Sequence, residues 1–359
     1  MRVRRRRAAL GATAVGALLL IAVLLAGRSG APDGKPIRVT IPKGASLREA
    51  ADSLARVGLV SHPRIFGFYG TLFGRDRDLK AGTYVLRGGM SWGALLDALS
   101  LGRGMVRIVT IPEGWELSQI VTQLARALTV PPESVAAAAR DTALLHRLDV
   151  PTPTLEGYLF PETYVFPVTT TAREAVRTMI DEFEQRWKPV WDERSRALAM
   201  SRNDIMALAA IIEKEARLPE ERPIISAVYH NRLKHGMLLQ ADPTVQFALG
   251  SHRARVLYRD LAVESKYNTY KYRGLPPGPI ASPGLPSIEA ALFPADVPYL
   301  YFVAHPDGHH EFRRTFAEHV QAIREMRAAA KRLRAKAAAD SAAKTLRPGA
   351  APTGSRTRR

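Results

Sequence analysis

The feature that most constrains the fold is a 22-residue segment that occurs twice in the chain. Residues 39–60 read VTIPKGASLREAADSLARVGLV, and residues 109–130 read VTIPEGWELSQIVTQLARALTV, at an offset of 70 positions without a gap. Each copy opens with β-branched residues, passes a Pro/Gly turn and continues with apolar residues at helical spacing. We expect each copy to form a strand, a turn and an amphipathic helix. Such a module suits ligand binding or packing alone, and the sequence leaves both open.

The first 28 residues predict a membrane anchor. Arg2 and Arg4 to Arg7 precede an apolar run that carries no charge from Ala9 to Gly27. About 20 apolar residues suffice to cross a bilayer as one helix. The Arg cluster is expected to stay cytoplasmic, which puts the remaining chain outside. A cleaved signal peptide is the alternative, but the apolar run is longer than the usual signal core and the Ala-Gly-Arg end is a poor cleavage site.

The positive charge of the chain lies in its two tails. The net charge is +18, of which residues 1–28 contribute +6 and residues 324–359 contribute +9, leaving +3 for residues 29–323. No basic stripe marks a folded module, so we predict no nucleic-acid partner. The chain has no cysteine, which excludes disulfides, a thiol nucleophile and Cys-ligated metals.

One helix near the middle of the chain places a carboxyl group on an apolar stripe. Ser201 is a candidate N-cap with Asp204 three residues on, a weaker form of the capping box. At helical spacing Glu215 follows the aliphatic side of this helix, whereas Glu213 points roughly 160° away. A carboxyl against apolar surface has a raised pKa and can act as a general acid. The alternative is that residues 213–215 form a solvated helix end.

Two further segments carry polar and aromatic residues suited to sugar recognition. LEGYLFPETY at 155–164 combines aromatic rings with acids, although a hydrophobic loop that plugs a core is the alternative. In LQADPTV at 239–245, Gln240, Asp242 and Thr244 alternate, and an extended segment would point all three to one side.

The rest of the chain is expected to alternate between regular elements and rigid loops. Residues 172–200 and 223–233 predict helices, and YNTY at 267–270 is a second polar and aromatic patch. Residues 274–284 hold four Pro and three Gly, too many for a regular element. Residues 299–303 predict a strand.

Seven motifs together resemble those of the YceG-like endolytic murein transglycosylases (MltG family), single-pass membrane enzymes that cut peptidoglycan glycan strands. The resemblance covers residues 37–323, in the family's order and spacing. The motifs are LEGYLFPETY at 155–164, IIEKEA at 211–216, NRL at 231–233, LLQADPTV at 238–245, YNTY at 267–270, GLPPGPIASPG at 274–284 and YLYFVA at 299–304.

This resemblance implies a catalytic acid, Glu215, which the helical spacing also favours. It implies cleavage of the MurNAc-GlcNAc bond in nascent glycan strands without water, leaving 1,6-anhydroMurNAc ends, in cell-wall assembly and glycan length control. Neither metal nor organic cofactor is implied. The candidates for substrate binding, each with loop bracing as its alternative, are Glu162, Gln240, Asp242, Thr244, Tyr267, Asn268, Thr269 and Tyr270.

The expected fold class is α+β: a transmembrane helix, a LysM-like α/β module and a mixed α+β catalytic domain. The expected divisions are the anchor 1–28, a linker 29–36, a LysM-like region 37–150, a catalytic domain 151–323 and a basic helical, then disordered, tail 324–359.

The resemblance places the chain in the cytoplasmic (inner) membrane with its catalytic domain periplasmic. Peptidoglycan strands are the expected partner, and a peptidoglycan synthase is a further candidate. Two other functions stay open: a glycoside hydrolase with Glu215 and Asp242 as its carboxylate pair, and a non-catalytic, membrane-tethered wall-binding protein.

Overall fold

The chain folds into α-helices and antiparallel sheets, which confirms the α+β class. A computed structural model describes residues 34–75, 78–250, 256–305 and 307–345. The strands are β1 Pro36–Ile41, β2 Gly82–Arg87, β3 Met105–Thr110, β4 Thr163–Pro167, β5 Tyr301–Ala304 and β6 His310–Arg313. The helices are α1 Leu47–Arg56, α2 Pro63–Leu72, α3 Trp92–Leu101, α4 Leu117–Leu128, α5 Pro132–Ala138, α6 Thr142–Arg147, α7 Ala172–Arg186, α8 Pro189–Ala197, α9 Arg202–Glu215, α10 Arg222–Lys234, α11 Asp242–Leu249, α12 Leu285–Leu292 and α13 Phe316–Thr345.

Several predicted segments lie outside the described residues. These are the anchor 1–28, the first part of the linker up to residue 33, and the end of the basic tail from residue 346. Within the described ranges, no helix has both the length and the apolar character that a membrane crossing requires. The anchor and the LysM-like character of the first module stay predictions.

The described residues group into two compact units. The first unit contains the residues up to Thr110, Thr122–Val135 and Thr163–Ala175. The second unit contains Ile111–Val121, Ala136–Glu162 and the residues from Val176 onward.

The sheet of the first unit carries the internal repeat. Its strands are antiparallel in the order β1-β2-β3-β4. The two copies keep the same register, because Val39 pairs with Tyr84 and its equivalent Val109 pairs with Tyr164. The next position repeats as well: the Thr40 and Thr83 hydroxyls lie 3.1 Å apart, and the hydroxyls of Thr110 and Thr163 lie 3.0 Å apart. Each copy therefore forms a strand with an equivalent partner.

Helices α1 and α2 pack closely in this unit. Ser46 and Glu49 form a full capping box at the start of α1. Trp92 on α3 is buried and contacts the ring of Phe66 on α2 edge-on at 5.6 Å. Gly70 lets α2 approach α1, since a Cβ there would lie 2.7 Å from Leu47. The inner face of α2 is thus fixed by the core.

The second unit is built around α9. Its N-cap Ser201 and Asp204 form the predicted box reciprocally, so the start of the helix is confirmed. From Ile205 to Ile212 every side chain is at most 1% exposed, the alanines as well as the aliphatic stripe. A helix that is apolar all round belongs inside a core. Helix α9 packs against α8, α10, α11 and α12.

Two expected elements differ from the structure. The single helix expected over 172–200 is two helices, α7 and α8, because Lys188 is extended and Pro189 starts a new first turn. The extended segment expected over 239–245 is wrong: α11 starts at Asp242, with Pro243 in its first turn. An Asp-Pro pair favours a helix start, since Pro has no amide hydrogen to leave unpaired there.

Candidate active site

Glu215 is the last residue of the central helix. Ala216 follows in an extended conformation and ends the helix, which leaves Glu215 only partly exposed at the rim of the core. Burial raises the pKa of the Glu215 carboxyl to about 7, and the nearby negative charge of Asp242 acts in the same direction. A hydrogen bond from Tyr229 and the charge of Arg232 act the other way. The carboxyl is therefore close to half protonated at neutral pH.

Tyr229 holds one oxygen of that carboxyl. It lies on α10, is 1% exposed, and its hydroxyl donates to Glu215 Oε1 at 3.2 Å. Burial, together with the charge of Glu215, raises the pKa of Tyr229 well above its usual value. Tyr229 thus remains a neutral donor, and the ring of Phe302 packs edge-on against it at 6.0 Å.

Arg232 brings a buried positive charge to the same region. Its guanidinium donates to the carbonyls of Leu239 and Leu300, both at 2.7 Å, and lies 5.2 Å from the centre of the Tyr301 ring. The bond to Leu239 fixes the backbone just before α11. The charge lowers the pKa of Glu215, as noted above.

Tyr229 lies outside the motifs quoted above, and Arg232 is part of the NRL motif but has no role predicted from the sequence. A signal was available, because Ile225, Tyr229 and Arg232 are spaced i, i+4, i+7 and share one face of α10. A Tyr and an Arg on the face that carries buried Ile225 indicate a polar contact inside the core.

Asp242 and Tyr270 form a second polar pair. The Tyr270 hydroxyl donates to Asp242 Oδ1 at 2.6 Å. Burial, followed by this bond to Asp242, raises the pKa of Tyr270. Asp242 itself is exposed and lies in the first turn of α11. The structure thus brings Glu215, Asp242 and Tyr270 together: the charge of Asp242 raises the pKa of Glu215, and the charges of both acids raise the pKa of Tyr270.

Thr244 and Thr269 join the start of α11, which carries Asp242, to the loop that carries Tyr270. Both are buried, and their hydroxyls lie 2.9 Å apart. The Thr244 hydroxyl also approaches the Ala241 carbonyl at 2.7 Å, and the Ala241 amide donates to Thr269 Oγ1 at 3.0 Å. Because Thr244 lies on a helix, it does not share a side with Gln240 and Asp242, as an extended chain would require. These contacts favour loop bracing for both threonines.

The remaining predicted residues are placed differently. Asn268 is buried and donates to the carbonyls of Leu261 and Val263, which favours bracing. Tyr267 packs against the ring of Phe247 at 4.8 Å. Gln240 is exposed and has a left-handed backbone with φ of 51°. Glu162 is exposed and accepts a bond from Arg186 at 3.2 Å. Substrate contact by these residues stays a prediction.

Glu213 has a quite different environment from Glu215. Its side chain is 8% exposed and lies 3.6 Å from the guanidinium of Arg222. The Ser287 hydroxyl and the Gly284 amide donate to Glu213 Oε2 at 2.7 and 3.1 Å. The alternative of a solvated helix end is therefore wrong for Glu213, which ties α9 to α10 and α12.

Comparison with known proteins identifies the family of this chain. The model of the YceG-like family matches residues 39–325. An endolytic murein transglycosylase of Bacillus subtilis is 34% identical over 301 residues, covering 80% of this chain and 83% of that protein. One of Streptococcus pneumoniae is 32% identical over 326 residues, covering 80% of this chain and 59% of that protein.

A solved structure shows the same fold. The crystal structure of a putative YceG-like protein from Listeria monocytogenes is 32% identical, with a TM-score of 0.59, covering 80% of this chain and 98% of that one. The family match spans most of the chain, including both units and every residue of the Glu215 site. The chain belongs to the YceG-like family.

Proposed function

We propose that this chain is an endolytic lytic transglycosylase that cleaves the MurNAc-GlcNAc bonds of peptidoglycan. The observation that carries the proposal is the Glu215 carboxyl at the end of a rigid buried helix, with a pKa of about 7 and a neutral Tyr229 holding one of its oxygens. Relatives at 31–34% identity are named endolytic murein transglycosylases. A group that donates and later accepts a proton works best with a pKa near the working pH.

In the first step Glu215 donates its proton to the oxygen that links C1 of MurNAc to the next sugar. The C1–O bond breaks, and the electron pair stays on the leaving oxygen, which becomes a hydroxyl. Since Tyr229 occupies Oε1, we assign the proton transfer to Oε2. The exposed carboxylate of Asp242 is suited to stabilise the positive charge that develops at C1.

In the second step the C6 hydroxyl of the same MurNAc closes onto C1. Its oxygen forms the new bond, and its proton passes to the Glu215 carboxylate, which restores the acid. No water is consumed, so the cut strand carries a 1,6-anhydro end. Intramolecular closure depends mainly on holding the sugar with C6 aimed at C1. Gln240, Tyr267 and Tyr270 are the predicted residues best placed by exposure or partial exposure to contact it.

The proposal extends to location and partners. The Arg cluster and apolar run of residues 1–28 support a single-pass anchor in the cytoplasmic membrane, with both units periplasmic. The repeat of the first unit supports a LysM-like wall-binding module. An enzyme that cuts nascent strands at the membrane acts beside the enzymes that make them, which supports a peptidoglycan synthase as a partner.

Digestion of purified glycan strands tests the function. Full-length protein in detergent is incubated with strands, and the products are read by mass spectrometry. Anhydro ends, lighter than reducing ends by one water, are expected. Reducing ends alone would instead support the hydrolase alternative, with Asp242 as the second carboxylate. Strand binding without any cleavage would support the wall-binding protein.

A further inference from the structure

Helix α2 presents an apolar face that no described residue covers. Ile65, Phe68 and Leu72 are spaced i, i+3, i+7 and are 41, 66 and 67% exposed. Phe73 follows directly and is 60% exposed. These four residues form what we call the outer face of α2. The inner face of the same helix is already occupied, since Phe66 packs against Trp92. The outer face is thus additional to the core.

Two arginines lie beside this face. Arg48 and Arg64 line a cavity of about 450 Å³ beside Phe68, with Asp52 as the one acid among its lining residues. The wider segment is also basic: residues 34–110 hold twelve Lys or Arg and five Asp or Glu, a net charge of +7. Residues 111–323, by contrast, carry a net charge of −3. The near balance of residues 29–323 thus combines a basic part, which exposes the apolar face, with a slightly acidic remainder.

The first unit is also close to the proposed anchor along the chain. Six peptide steps separate Arg28, the end of the apolar run, from Gly34, the first described residue. A fully extended chain covers about 3.5 Å per residue, so Gly34 lies within about 20 Å of the bilayer surface. This step rests on the anchor given under the proposed function.

We propose that the outer face of α2 docks on the anionic surface of the membrane that holds the chain. Apolar side chains would enter the boundary between headgroups and acyl chains, while Arg48 and Arg64 meet lipid phosphates, as in interfacial helices. An anionic wall polymer would satisfy the arginines but leave Phe68 and Leu72 in water. A second copy of the chain would bring a second set of like charges to the same contact.

The absence of cysteine permits a direct test. Single cysteines at Phe68→Cys and Leu72→Cys are labelled with an environment-sensitive fluorophore in the full-length protein. The protein is reconstituted into vesicles of equal parts phosphatidylcholine and phosphatidylglycerol, with and without nitroxide lipids. The nitroxide is carried near the headgroup for the labels on the outer face and at the end of the acyl chain for the label at Leu19, which lies in the middle of the apolar run. Leu101→Cys is the matched control, because Leu101 is an exposed leucine of the same unit, 53% exposed, outside the outer face. Leu19→Cys reports on the anchor.

We expect at least twofold quenching by the nitroxide lipids at Phe68 and Leu72, with little at Leu101. Quenching at Leu19 alone would overturn the docking and leave the anchor and the enzymatic proposal standing. No quenching at Leu19 or Leu72 would overturn anchor and docking together, whereas strand digestion tests the enzyme independently.

A label at Leu72 whose emission is blue-shifted but not quenched by the nitroxide lipids would show that protein covers this position, and it would overturn the proposal. Replacing phosphatidylglycerol with phosphatidylcholine should weaken quenching at Leu72 but not at Leu19; equal quenching would overturn the anionic requirement.

Discussion

Glu213 and Glu215 lie two residues apart at the C-terminal end of α9, on different sides of the helix, and their carboxyl groups have different partners. On one side the Glu213 carboxyl lies 3.6 Å from the Arg222 guanidinium and accepts hydrogen bonds from Ser287 and Gly284. On the other side Glu215 meets a phenol and a nearby carboxylate, and burial raises its pKa to about 7. The same residue type on the same helix becomes a structural tie or a proton donor according to its partners.

The largest expected effect is on the rate of cleavage in Glu215→Gln. The amide cannot donate a proton and take it back, and loss of such a group typically costs about 10² to 10⁴ in rate. The fold should persist. Because the folded pKa of Glu215 exceeds its ordinary value, wild-type stability falls as pH rises through the window from about 4.5 to 7. The glutamine side chain does not ionise, so the Glu215→Gln variant does not lose stability over this pH range. Its Tm at pH 8 should therefore equal or exceed that of the wild type.

Glu213→Gln is the matched variant and should show the reverse pattern. Removal of one partner from a largely buried ion pair costs about 3 kcal/mol of unfolding free energy, at the lower end of such losses because Glu113 also interacts with Arg222. Cleavage per folded molecule should change little. Urea unfolding measures the first quantity and strand digestion below the midpoint measures the second. Equal, small losses of activity in the two variants would mean that neither glutamate is the acid.

The pH dependence of cleavage also distinguishes the two glutamates. If only the protonated form of Glu215 starts the reaction, kcat/KM should fall about tenfold between pH 6 and pH 8, since the pKa is about 7. In Glu213→Gln the position of this descending limb should stay unchanged. If kcat/KM does not change over that range, Glu215 is not the proton donor in the rate-determining step.

Smaller, opposite shifts are expected from the two neighbours of Glu215. The Tyr229 hydroxyl lowers the pKa of Glu215 and Asp242 raises it. Tyr229→Phe should therefore move the descending limb to higher pH, and Asp242→Asn should move it to lower pH. Tyr229→Phe also removes the hydrogen bond from the Tyr229 hydroxyl to Glu215. A hydrogen bond of this kind is worth about 1 kcal/mol, so the cleavage rate should fall about fivefold. Shifts in the same direction would contradict the assigned arrangement.

The product of Asp242→Asn separates the reaction types. In a transglycosylase this variant slows cleavage and still leaves anhydro ends. Tyr270 retains an oxygen acceptor in the asparagine, so the loop should keep its shape. In a retaining hydrolase the same variant would be as inactive as Glu215→Gln. Mass spectrometry of the strand ends distinguishes the two.

Local patterns were enough to predict the parts of the fold that depend on neighbours in sequence. The repeat predicted two strand–helix units, and the shared register of Val39 and Val109 reflects their similarity. Ser201 and Asp204 predicted the start of α9. Helical spacing also identified Glu215 as the acid to test, although its catalytic role remains a prediction.

Partners distant in sequence could not be predicted in the same way. The pair of Glu213 and Arg222 depends on how α9 and α10 pack, and spacing on one helix says nothing about the other. Pro243 was a local signal for the start of α11 that the alternation of Gln240, Asp242 and Thr244 obscured. Asn268 braces its loop by donating to a backbone carbonyl, and because every residue has one, the sequence does not indicate which carbonyl accepts the bond.

The complete burial of Ile205–Ile212 in α9 has a consequence for how the enzyme loses activity. Amide protons in a helix enclosed on every side exchange with solvent only when the surrounding unit opens as a whole. Residues Ile205–Ile212 should therefore be among the slowest to exchange deuterium in the second unit. Glu215 follows Ile212 by three residues on the same helix, and the contacts of Glu213 hold the helix end between them, so local fraying cannot displace Glu215 far. Heat inactivation should then coincide with global unfolding of the unit, without an earlier phase in which the protein is folded but inactive.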